Sequence, residues 1–144
     1  MKQRLVPAPA QACATALLVA LLTGCVTTSP EQAEGLTPPE YFQRAQEATA
    51  QHDYGLAMRW YAAFRERFAD DPSPPEMVRL LWAEYEIAFL YHKMGDDETA
   101  LRLLRALVRS YEQPVAADYP AGPRVLALRV ITELDPAAAA SEQQ

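Results

Sequence analysis

This chain of 144 residues has only two cysteines and two histidines. Cys13 lies inside an apolar run and Cys25 at its end, so the chain beyond residue 25 has no thiol with which to form a disulfide. His52 and His92 are far apart in sequence, and no His/Cys pattern with metal-ligand spacing surrounds either. The five glycines are too scattered for a phosphate-cradling loop, and no serine sits in a nucleophile-type turn. Glu84 and Glu86 are two apart, so on a helix they point in different directions and do not form an acid–base pair. The expectation is a protein without catalytic residues, metal or cofactor: a binder, not an enzyme. Apolar runs are scarce as well. After Ala12 to Leu22, no stretch is long and uncharged enough for a transmembrane helix.

Positive charge is the remaining shortage. All 19 acidic residues lie beyond residue 24, whereas Lys2 and Arg4 precede it. Without those two, 11 basic groups face 19 acidic ones, a balance of −8. Such a domain is poorly suited to nonspecific binding of nucleic acid or anionic lipid.

The N-terminus has a recognisable order. Lys2 and Arg4 give a positive start, and Ala12 to Leu22 has the length of a signal-peptide core. Leu22-Thr23-Gly24-Cys25 follows directly. This resembles the bacterial lipoprotein signal, which implies removal of residues 1–24 and acylation of Cys25 with palmitate-type chains. Two or three acyl chains anchor stably where one is marginal. The alternative is an ordinary signal with Cys25 as a stray thiol. Val26, not Asp, follows the cysteine. In a Gram-negative envelope the resemblance then implies the periplasmic side of the outer membrane. Residues 25–37 hold Pro, Gly, Ser and Thr without apolar period and read as a lipidated cysteine and flexible tether. The twelve residues after Cys25 would span roughly 17–21 Å root-mean-square.

Residues 38–135 read as one all-α domain, with 136–144 as a disordered tail. Pro38-Pro39-Glu40 starts a first helix that ends near Gln51, and Tyr54 to Phe68 forms its return. Tyr41, Ala45 and Ala48 recur at helical spacing on the first, and Ala57, Tyr61, Phe64 and Phe68 on the second. The stretch from Pro75 to Met94 is apolar on nearly every side, with Arg79, Glu86 and Lys93 as its only continuous polar stripe. A helix with so narrow a wet face must be surrounded by others. The hairpin pattern then repeats at one offset. Ala45 matches Ala88, Ala57 matches Ala100, Tyr61 matches Leu104, Phe64 matches Leu107, and Asp53 matches Asp96. A Pro- and Gly-containing connection from Gln113 to Gly122 leads to a last helix, expected from Pro123 to Leu134.

Small residues at the two helix crossings and an Asp in each corner resemble tetratricopeptide repeats. The long repeat and late bulky residues are distantly similar to the envelope lipoprotein of the β-barrel assembly machine. Arg44, Phe64 and Glu84 depart from the usual pattern. The resemblance implies a five-helix right-handed α-solenoid: two helix pairs plus a C-terminal capping helix. It also implies a concave groove lined by the first helix of each pair. Trp82, Tyr85, Phe89 and His92 would face that groove, with Phe42, Gln46 and Thr49 in the matching places one repeat earlier. Aromatics offer large contact area at low entropic cost. The other reading is that the last helix packs on Trp82, Tyr85 and Phe89 and makes them core. Arg102, Arg105, Arg109, Arg124 and Arg129 form a second candidate surface for an anionic partner, against the reading of an ordinary wet face.

Together these features lead to the expectation of a lipid-anchored adaptor or scaffold of the bacterial envelope. It would hold a protein or peptide, in outer-membrane protein assembly or secretion. The alternative is an accessory subunit of a cell-wall enzyme. Two repeats bury little core, so self-association would relieve exposed edges.

Overall fold

A computed structural model describes residues 29, 30, 33, 35–70 and 73–137. The expected signal segment, Cys25 and most of the tail lie outside the described residues, as does most of the tether. Among the described residues there are five α-helices and no strand: α1 (Pro38–Ala50), α2 (Tyr54–Phe68), α3 (Pro74–Lys93), α4 (Asp97–Ser110) and α5 (Ala121–Leu134). Each helix packs against the next, and α5 also reaches back to α3.

The helix starts follow from local chemistry. Prolines occupy the first turns of α1 and α3, where a missing N–H costs nothing. Glu40 reaches back to Thr37, accepting from its backbone N–H at 2.7 Å, and Glu76 does the same to Ser73 at 3.1 Å. The side-chain hydroxyls of Thr37 and Ser73 meet the same carboxylates. Asp53 and Asp96, aligned by the repeat, do the same job on α2 and α4. Asp53 accepts from Leu56 N–H at 3.0 Å and Asp96 from Thr99 N–H at 3.1 Å.

The four alanines of the repeat are fully buried: Ala45, Ala57, Ala88 and Ala100 all have 0% exposure. A methyl at each of these places lets the helices approach closely. Around them the core falls into two clusters that share α3. Leu80, Ala83 and Leu90 pack with Tyr41, Trp60, Tyr61 and Phe64 of α1 and α2. Leu81, Tyr85 and Ala88 pack with Leu104, Leu107, Ala127, Val130 and Ile131 of α4 and α5. The apolar girth of α3 is therefore used on both sides, as its composition requires.

Three details differ from the sequence reading. α5 begins two residues before Pro123, because Pro120 supplies the extended residue that opens it. Tyr111 holds this start, its hydroxyl donating to Pro120 O at 2.8 Å. The connection before it contains a 3-10 turn, Pro114–Asp118. Trp60, absent from the expected core set, is buried and meets Tyr41 edge-on at 6.1 Å. Its position three residues after Ala57 and four before Phe64 was the available signal.

Immediately before α1, Ala33 and Leu36 lie against the first cluster, and Pro30 is buried. The Tyr41 hydroxyl donates to Ala33 O at 3.0 Å. After α5, Asp135 breaks the helix and ion-pairs with Arg105 at 2.6 Å.

Candidate partner-binding face

Trp82, Tyr85, Phe89 and His92 stand on one side of α3, at intervals that stack side chains along a helix. Their rings form a continuous ladder. Trp82 meets Tyr85 edge-on at 6.1 Å, Tyr85 stacks on Phe89 at 5.8 Å, and Phe89 meets His92 at 5.9 Å. Rings in offset-stacked or edge-on contact gain roughly 0.5–1.5 kcal/mol beyond area burial. Lys93 places its ammonium 5.3 Å from the Phe89 ring centre. Asp97, at the start of α4, sits 2.6 Å from His92 Nδ1 and fixes that imidazole.

The two ends of the ladder differ in cover. Tyr85 is 7% exposed and belongs to the second core cluster. Trp82 is half-buried beneath the first turn of α5, where Gly122 has no side chain. A β-carbon there would stand 2.8 Å from Trp82 Cζ2. Phe89 touches the second cluster but remains half-exposed, as does His92. Thus α5 lands on Trp82 and Tyr85, while Phe89 and His92 are half-buried and Lys93 is exposed.

The matching residues of α1 are less uniform. Phe42 packs edge-on against Tyr61 and Phe64, each at 5.2 Å. Gln46 is exposed, and Thr49 is half-buried with its hydroxyl donating to Ala45 O at 2.9 Å. The structure therefore joins the four α3 residues into one ladder of ring contacts, but α5 packs on Tyr85 and makes it core rather than groove surface. It places Phe42 on a different packing partner, α2.

Two carboxylates of α3 carry perturbations that sequence reasoning passed over. Burial pushes Glu86 above the ordinary carboxylate range, and Glu86 in turn adds to the burial that raises the Tyr61 hydroxyl. Burial also raises Glu84, partly offset by Arg65, whose Nη2 is 3.9 Å away. The Tyr85 hydroxyl is raised first by burial and then by Glu86. Arg129 and Glu133 of α5 act on it in opposite senses, which puts that helix beside the ladder. Glu84 faces Arg65, and Glu86 lies near Tyr61 and Tyr85.

Among the described residues no group of three or more His, Cys, Asp or Glu could hold a metal ion. No described helix is long and apolar enough to cross a membrane. No family model, curated protein or solved structure matches the chain.

Proposed function

We propose that this protein is a lipid-anchored, non-catalytic adaptor of the bacterial cell envelope. Its helices form a right-handed α-solenoid of two tetratricopeptide-like pairs and a capping helix, and α3 presents the partner-binding face. The observation that carries this reading is the aromatic ladder. Buried Tyr85 and half-buried Trp82 lie against α5, and their ring contacts hold the half-buried Phe89 and His92 in register. A rigid aromatic edge bordered by Lys93 suits an extended peptide or a protein segment, because little side-chain entropy is lost on contact. The supporting chemistry at the N-terminus is Leu22-Thr23-Gly24-Cys25 behind an apolar run. Acylation at Cys25 would moor the domain on the periplasmic side of an outer membrane.

A photo-crosslinking phenylalanine analogue at position 89 tests the face in intact cells. The expected result is one discrete adduct with an envelope protein or peptide. The same analogue at exposed Ala62 on α2 should give none. Equal labelling from both positions, or none from either, rejects the assignment. Cys25→Ser tests the anchor: the protein should leave the membrane fraction, and unchanged fractionation refutes lipidation.

A further inference from the structure

The junction of α4 and α5 is left open. α5 packs on α4 and reaches back to α3, and among the described residues no sixth helix follows it. Two adjoining depressions mark this side: one of about 510 Å³ lies between α4 and α5, the other of about 320 Å³ lies along α4 alone, and they share Arg105 and Arg109. Their floor is apolar, built from Leu101 and Val108 of α4 and Leu128 and Ile131 of α5. Leu101, Val108 and Leu128 are only half-buried. No residue of α3 lines either depression, so the trough belongs to the last two helices alone.

Charge distinguishes its rim from the rest of the surface. Beyond residue 24 the chain has 11 basic residues against 19 acidic ones, yet Arg102, Arg105, Arg109 and Arg124 all line this trough. Arg102, Arg105 and Arg109 follow one another along a single side of α4. Arg105 is held by Asp135 at 2.6 Å, whereas among the described residues Arg102 and Arg109 make no ion pair. Arg124 comes from the opposite wall, near Tyr111. Glu98 lines one of the depressions and Glu112 the other. α4 itself, Asp97–Ser110, is 14 residues and about 21 Å long at 1.5 Å per residue, so a helix of that length could lie beside it.

We propose that this trough docks an amphipathic helix of a partner protein, with its apolar stripe on Leu101, Val108 and Leu128 and carboxylates along its flanks. Guanidinium groups recognise carboxylates through paired N–H donors, and arginines at the edge of an apolar floor set both register and polarity. A second copy of this chain is a poorer occupant. Its large exposed apolar residues, Val78, Met94, Val115 and Val125, are dispersed over α3, the corner after it, the 3-10 turn and α5. They do not form a stripe.

The test uses the full chain in detergent and a labelled helical peptide of about fourteen residues, leucines on one face and glutamates on its flanks. Fluorescence anisotropy should show saturable binding that weakens as salt rises. Arg102→Glu with Arg109→Glu should weaken it by about tenfold or more, and a peptide with lysine for glutamate should bind far less. Circular dichroism of the double variant should stay unchanged, since both side chains are exposed. Absence of binding, or equal affinity for the lysine peptide, overturns the proposal. So would two other outcomes. A concentration-dependent dimer that dissociates in the double variant assigns the trough to a second copy. A large gain in peptide affinity on deleting residues 138–144 assigns it to the chain's own tail.

Discussion

His52 adopts φ of 60° at the corner between α1 and α2, and Gly95 adopts 82° between α3 and α4. Both corners therefore demand the left-handed conformation, which glycine takes freely and histidine does not. His52→Gly should raise stability by about 0.5–1 kcal/mol, and Gly95→His should lower it by a similar amount. Chemical denaturation of the two variants checks this, and a loss in the first would show that the His52 ring, 5.9 Å from Tyr54, contributes more than its strain. The second residue-scale prediction concerns Gly122. Alanine there must displace the Trp82 ring, which Tyr85 meets edge-on, so Gly122→Ala should cost about 1–3 kcal/mol. In a Trp82→Phe background the added methyl has room, and the penalty should shrink. A double-mutant cycle measured by urea unfolding reads the coupling. Neither feature could be read from spacing alone. The Asp53–Asp96 match was visible, as was the glycine beside Asp96. The close approach of Gly122 to Trp82 depends on where α5 lands, which is a tertiary outcome.

α3 is legible as an element because its apolar residues leave so little wet face, and the structure surrounds it as that composition requires. What the pattern hid is that Glu86, counted with Arg79 and Lys93 as a polar stripe, is partly desolvated beside Tyr61 and Tyr85. Helical period gives direction, whereas desolvation depends on the neighbouring helices. The sign of its pH effect follows. Glu86 has a raised folded pKa, so above the unfolded value the native state binds more protons than the unfolded state. Its contribution to stability falls as pH rises through that window. Glu40 behaves oppositely. Its hydrogen bonds with Thr37 hold its carboxyl below the ordinary range, and their stabilisation is lost as pH falls through the folded value. Glu86→Gln should therefore raise stability at neutral pH by about 0.5 kcal/mol or more. It should also flatten the decline above the ordinary carboxylate range. Thermal melts across pH 4 to 8 would decide it, and a variant less stable at pH 7 would show that the charge is needed. Truncation inside the same helix has a larger effect. Leu90 is 1% exposed, and Leu90→Ala should cost about 2–5 kcal/mol.

At the scale of the molecule, the two ends of the helical stack differ in what covers them. Pro30, Ala33 and Leu36 lie on the α1/α2 end, while the α4/α5 end is the open arginine-lined trough. This asymmetry escaped the sequence reading, since residues 25–37 have no apolar period and Leu36 stands alone among polar neighbours. If acylation occurs at Cys25 as proposed, four peptide links join the lipid to Ser29, at most about 14 Å of chain. The α1/α2 end must then face the bilayer closely. α5 packs mainly on α3 and α4, and helices packed about 8–10 Å apart put it farther from that end than α2. A single cysteine at Ala62 on α2, labelled with a fluorophore, should be quenched strongly by headgroup-bound quencher in reconstituted vesicles. The same label at exposed Val125 on α5 should be quenched weakly. Equal quenching would mean that the Pro30–Leu36 contacts release on the membrane and that the domain tumbles freely on its tether. The unequal result would mean that the anchor itself aims the trough away from the lipid, toward a partner reaching in from the periplasm.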